Sequence, residues 1–264
     1  KDKIDGWDVY TTIYMKHQAL ADSLLRAAVE SDEDIAGGCL ALMEVTTGAI
    51  TALANCHRLA NGKIGEYYNY AINHSYEPGG VVQTMTLTAS LSDGMIKSLD
   101  EKLPTNHGRL TDTSFVRDNY ILQYEKEHQT DSISVIDGFA QSSGYVSSAL
   151  ALKYSESQDY FYKWYESFCI NSYNFDISGM RELDLVDPIG RDINTLISAG
   201  AGNEFTVCPM QLLTFYNTIA NNGEMMRPML IKKMESEKFG SQYMHPHELN
   251  EMIFRTEVAD SLKK

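Results

Sequence analysis

Nothing in the 264 residues approaches the apolar run of roughly 20 that crosses a bilayer. No secretory leader is visible, and Lys1-Asp2-Lys3 reads as a trimmed rather than a natural start. Positive charge is scarce. With 22 Lys and Arg against 36 Asp and Glu, the formal net charge is -14, which argues against nucleic acid and anionic membrane surfaces as partners. Cysteine is sparse too: Cys39, Cys56, Cys169 and Cys208 have no zinc-type spacing. Apolar neighbours make Cys39, Cys169 and Cys208 expected buried thiols. A Cys39–Cys56 bridge across a hairpin would be possible, though nothing in the sequence supports it. His245-Pro246-His247 lacks a third ligand at usable spacing and reads as a surface turn, so neither metal nor cofactor is expected. There is no internal repeat and no low-complexity segment. What remains is a soluble globular composition, 43% apolar and 22% charged, long enough for one large or two small domains.

Periodicity outlines the elements. Trp7, Val9, Thr11 and Ile13 alternate as a strand. A helix over about 16–30 carries Leu20, Leu24, Ala27 and Ala28 on one face. Two apolar strands flank a turn at Gly48, and 55–75 reads as a polar loop containing Tyr67, Tyr68 and Tyr70. Those tyrosines suit rim packing better than a sugar-stacking platform. Pro78 opens a mostly apolar helix (Val81, Val82, Met85, Leu87, Leu91) that Asp93-Gly94 stops. Residues 97–130 are irregular, with a short helix over 120–128, and a long loop of this kind is often functional. Ser142-Ser143-Gly144 separates two helices, and the aromatics from Tyr160 to Phe168 mark a buried helix face. Residues 179–191 read as loop. Pro209 starts a further helix, with Cys208 at its cap and Asn222-Gly223 at its end. The tail from 232 on is polar, with helix inside 248–264.

Several of these blocks fall in a familiar order. Glu77-Pro78-Gly79-Gly80-Val81-Val82-Gln83 resembles the active-site helix of the penicillin-binding transpeptidases, which reads Glu-Pro-Gly-Ser-x-x-Lys. Asn69-Tyr70-Ala71-Ile72 matches the approach to that helix. Gly200-Ala201-Gly202, Cys208-Pro209-Met210-Gln211, Tyr216 through Gly223 and Arg227-Pro228 follow the family's later blocks. The resemblance runs from about Trp7 to Arg227 and is to the class B enzymes. In that family the Ser attacks a D-Ala-D-Ala peptide or a β-lactam, and the Lys takes its proton. Here Gly80 and Gln83 stand at those positions. Gly has no hydroxyl and a Gln amide has no useful basicity, so the nucleophile–base pair is missing. At the family's Ser-x-Asn, Ser142 is present but Gly144 replaces the Asn. No Lys-Ser-Gly or Lys-Thr-Gly occurs in the 264 residues.

The resemblance implies an α/β (α+β) transpeptidase fold, an antiparallel sheet packed with helices plus a mostly helical subdomain. The family's last strands would lie beyond residue 264 or be absent. It implies one module over 1–264, its α/β subdomain from about 1–75 and 200–264 and its helical subdomain from about 76–199. It further implies the periplasmic side of the cell envelope, a membrane anchor outside these residues, and peptidoglycan stem peptides or cell-wall synthesis proteins as partners. Gly79, Gly80, Val81 and Ser142 are the positions where a peptide would bind. Two functions follow: an inactive binding or scaffolding module, or an acyl-transferase using unconventional groups, with Thr84 and Ser75 the nearest hydroxyls. An engineered site is a third option, but joint loss at 80, 83 and 144 fits natural decay better.

Overall fold

The computed structural model describes residues 6–111, 116, 118–171, 174–185 and 192–264. In chain order the elements are β1 (Asp8–Thr11), α1 (Met15–Glu30), β2 (Gly37–Met43), β3 (Ile50–Arg58), β4 (Ile64–Gly65) and α2 (Tyr70–Asn73). A 3₁₀ turn (Gly79–Val82) then runs into α3 (Gln83–Ser92). Next come β5 (Lys102–Pro104), a left-handed turn at Asn106–Gly108, α4 (Asn119–His128), β6 (Ser132–Ser134), α5 (Val135–Ala140), α6 (Gly144–Leu152) and α7 (Gln158–Phe168). The chain ends with β7 (Asp184–Leu185), α8 (Ile193–Ala201), β8 (Phe205–Thr206), α9 (Pro209–Ala220), β9 (Met225–Met226), β10 (Ile231–Ser236), β11 (Gly240–Tyr243), β12 (Glu248–Asn250) and α10 (Thr256–Leu262). Of the loop expected over 179–191, residues 186–191 lie outside the described residues.

These elements form two units. The first joins Lys1–Ser75, Ile170–Glu182 and Cys208–Ile253. Its sheets are antiparallel, in the orders β1-β10-β11, β2-β3-β4 and β12-β9. β3 is the organising strand, because Ile50, Ala52, Ala54 and Cys56 alternate inward at the two-residue period of a strand. α1 covers that face with Ala21, Leu25 and Val29. This corrects the expected helix face, since Leu20 and Leu24 are 60% and 55% exposed. Both stripes have helical spacing; the one carrying the small Ala21 packs on the sheet. The 55–75 stretch is also more regular than expected, holding the end of β3, then β4 and α2. So is the polar tail, which forms β10, β11 and β12 before its helix.

Strand pairing disposes of the Cys39–Cys56 bridge. Cys39 faces Asn55 and Cys56 faces Gly38, so the two thiols point to opposite sides of the sheet. All four cysteines are free. Burial pushes the Cys39 thiol up to about 11 and raises Cys56 and Cys208 as well. A second core gathers Ile72, Phe175, Met210 and Met225. Asp176 ties it to β10, accepting from the Leu230 and Ile231 N–H groups at 2.6 and 2.9 Å and pairing with Arg227 at 3.1 Å.

The second unit joins Tyr76–Cys169, Leu183–Val207 and Phe254–Lys264. It is mainly helical. Its core runs through Leu87, Ile121, Ile133, Tyr145, Val146 and Leu150. α3 is buried along its length despite its threonines, because their hydroxyls find partners. Thr86 Oγ1 donates to Gly200 O at 2.9 Å and shares a 2.8 Å bond with Tyr165. α6 and α8 pack closely at Gly200, where any Cβ would overlap Ala151. On α7, Phe161, Tyr165 and Phe168 face inward, as expected, and Tyr162 joins them, while Trp164 is half-buried and Tyr160 exposed.

Candidate functional site

The segment before α3 is held along its edge. Tyr76 and Val207 exchange backbone hydrogen bonds of 3.2 and 3.1 Å. Glu77 Oε1 accepts from Glu204 N at 3.2 Å, and Gly79 N donates to Gly202 O at 2.8 Å. Gly79 and Gly202 both have positive φ, +58° and +99°, and a Cβ on Gly202 would overlap the Gly79 carbonyl oxygen. This is what the third residue of Gly200-Ala201-Gly202 does: it lets two backbones touch. The residue pattern alone does not reveal that role.

The 3₁₀ turn brings positions three apart onto one edge. A Cβ built on Gly80 would stand 3.7 Å from Gln83 Nε2 and 3.9 Å from Ser142 Cβ, ordinary contact distances. Gln83 is only 5% exposed and its amide donates to Ser142 O over 3.4 Å. Gly80, Gln83 and Ser142 therefore converge. Gly144 stands two residues on, as the first residue of α6, and a Cβ there would meet nothing within 4 Å. Val81 is 50% exposed, so it leaves the apolar face to which its neighbour Val82 belongs.

The junction carrying Ser142 is built by residues that periodicity did not single out. α5 ends with Ser142 N on Phe139 O and Ser143 N on Gly138 O, both 2.9 Å, which places Ser142 in a left-handed conformation. Ser143 caps α6, accepting from Val146 N at 3.2 Å, and donates to Asp118 Oδ2 at 2.6 Å. Asp118 in turn caps α4 through its other oxygen and accepts from Tyr145 N at 3.2 Å. An Asp directly before a predicted helix is a cap signal, and it would have revealed the first of these roles. Burial pushes Tyr145 up to about 12, and its protonated hydroxyl donates to Pro104 O at 2.9 Å.

Chemically the cluster is quiet. None of Gly80, Gln83, Ser142 and Gly144 carries a titratable side chain. Ser142 is exposed, and the Gln83 amide bonds its backbone carbonyl rather than its hydroxyl. The Gly79 N–H is engaged by the Gly202 carbonyl and is not free to bind a carboxylate.

The same fold occurs in penicillin-binding protein 2B from Streptococcus pneumoniae strain R6, with 18% identity and a TM-score of 0.81 over 98% of this chain and 46% of that one. It also occurs in penicillin-binding protein 2X from Streptococcus thermophilus, with 20% identity and a TM-score of 0.80 over 99% and 38%. The transpeptidase domain of penicillin-binding protein 3 from Burkholderia pseudomallei matches with 18% identity and a TM-score of 0.73 over 96% and 68%. The chain thus spans about half the length of the first of these, 46%. No curated protein matches it by sequence. The penicillin binding protein transpeptidase domain family matches residues 38–264, and the chain belongs to that family.

Proposed function

We propose that this chain is a class B-type transpeptidase domain that has lost acyl transfer and serves peptidoglycan synthesis as a binding or scaffolding module. The observation that carries the proposal is the convergence of Gly80, Gln83 and Ser142. The positions that would hold nucleophile and base meet as they would in an enzyme of the family, yet a glycine and an amide occupy them. No alkoxide can be generated there. Partners of the expected kind are peptidoglycan stem peptides or cell-wall synthesis proteins, and the expected place is the periplasmic side of the envelope beside a membrane anchor. Among the described residues no helix is long and apolar enough to be that anchor.

Intact-mass spectrometry after incubation with excess benzylpenicillin tests the proposal. The expected outcome is an unchanged mass. A gain of one opened drug molecule, mapped to Thr84, Ser75 or Ser142, would establish an acyl-transferase that works with other groups.

A further inference from the structure

Apart from the motif cluster, the second unit holds a cavity of about 770 Å³ between β5, β6 and α4. That is ample for a small ligand. Its lining includes Lys102, Asn106, His107, Arg109, Glu125 and Asp131. An adjoining cavity of about 630 Å³ shares His107, Glu125 and Asp131.

Its walls are unusual in two respects. First, Asn106, His107 and Gly108 are consecutive left-handed residues with φ of 42°, 52° and 81°. Such backbone persists only where its surroundings hold it. Here Glu125 grips the turn, one oxygen accepting from His107 N at 3.1 Å and the other bonded to His107 Nδ1 at 2.7 Å. Burial pushes Glu125 up, but hydrogen bonds, including those from His107, outweigh it and keep the carboxyl below its ordinary range. The His–Glu wall is thereby satisfied. Second, the charges that remain are not. Among the described residues the side chains of Lys102, Arg109 and Asp131 make no hydrogen bond or ion pair, though all three face the same cavity.

The charges are also spaced. Lys102 pairs with Ser134 on the β5–β6 ladder, while Asp131 O accepts from Thr105 N three residues further along. At the rise of an antiparallel strand this separates the two positions by about 10 Å. A free amino acid carries its two charges on one residue and spans far less. We propose that this cavity binds the free ends of a short peptide, its carboxylate at Lys102 and Arg109 and its ammonium at Asp131. The site does not depend on the transpeptidase reading.

Titration of the whole chain with glycylglycine, followed by amide NMR, is the test, with glycine, acetate and methylammonium as separate arms. Glycylglycine is expected to move the His107, Arg109 and Ser132 signals, and each of the other three to move them much less at equal concentration. Arg109→Gln and Asp131→Asn, both at exposed positions and checked by retained peak dispersion, should each weaken glycylglycine at least tenfold. Shifts as large from glycine or acetate would overturn the peptide assignment. No shifts at tens of millimolar, or full binding by both variants, would overturn the site.

Discussion

At the scale of single residues, the motif positions separate geometry from chemistry. A side chain at 80 has room, and the side chain at 83 is buried beside it. Gly80→Ser with Gln83→Lys should therefore fit, and burial would depress the new lysine's pKa toward that of a base. Efficient acylation is nevertheless not expected from this pair alone. Gly144 offers no amide to orient a substrate, and positioning is worth orders of magnitude in rate. The sequence also contains no Lys-Ser/Thr-Gly, the element that in the family helps form the oxyanion hole. A polypeptide of these 264 residues tested alone lacks that donor, and one missing oxyanion donor costs roughly 10²–10³ in rate. The check is the second-order rate of labelling by a fluorescent penicillin, double variant against parent. Labelling as fast as an ordinary family member would show those elements to be dispensable.

At the scale of elements, the two glycine-bearing contacts respond oppositely to a methyl group. Gly202→Ala forces a Cβ into the Gly79 carbonyl at a φ of +99°. Strain and displaced backbone should together cost about 3 kcal/mol. Gly144→Ala opens α6 with a Cβ that touches nothing, so it should be neutral or stabilising by up to about 1 kcal/mol. Urea denaturation of both variants measures the contrast. Equal effects would mean that the 76–79 and 202–207 edges are not held as closely as described. The same logic explains α3: its threonines look poorly suited to a buried helix until Gly200 and Tyr165 supply their hydrogen bonds.

At the scale of the molecule, the chain passes between the two units at 75/76, 169/170, 182/183, 207/208 and 253/254. Neither unit is a continuous segment. The last piece matters to the second unit, where Phe254 is buried edge-on to Phe168 at 6.3 Å and Leu262 packs on the main core. Phe254→Ala should cost roughly 3 kcal/mol, the lower end for an emptied phenylalanine site. Calorimetry or urea titration reads it; a loss under about 1 kcal/mol would show that the tail is not part of the cooperative unit.

Local patterns were enough for most of the architecture. The hairpin about Gly48, the helix opened by Pro78 and closed by Asp93-Gly94, the aromatic face of α7 and the Pro209 helix all follow from periods and caps that neighbouring residues impose on one another. So does the absence of a hydroxyl at 80 and of a base at 83, which is a matter of residue identity alone. Which stripe of α1 packs inward was not contained in its spacing, because Leu20/Leu24 and Ala21/Leu25 repeat at the same period and only the sheet distinguishes them. The side on which Cys56 faces followed from strand register. Three further features needed residues distant in sequence to be brought together. Gly202 meets Gly79 across 123 positions (202 − 79), Asp118 reaches Ser143, and Lys102 and Asp131, whose charges are unpaired among the described residues, share one cavity. No local pattern encodes such meetings, because the contact energies that select them exist only once the chain has closed on itself.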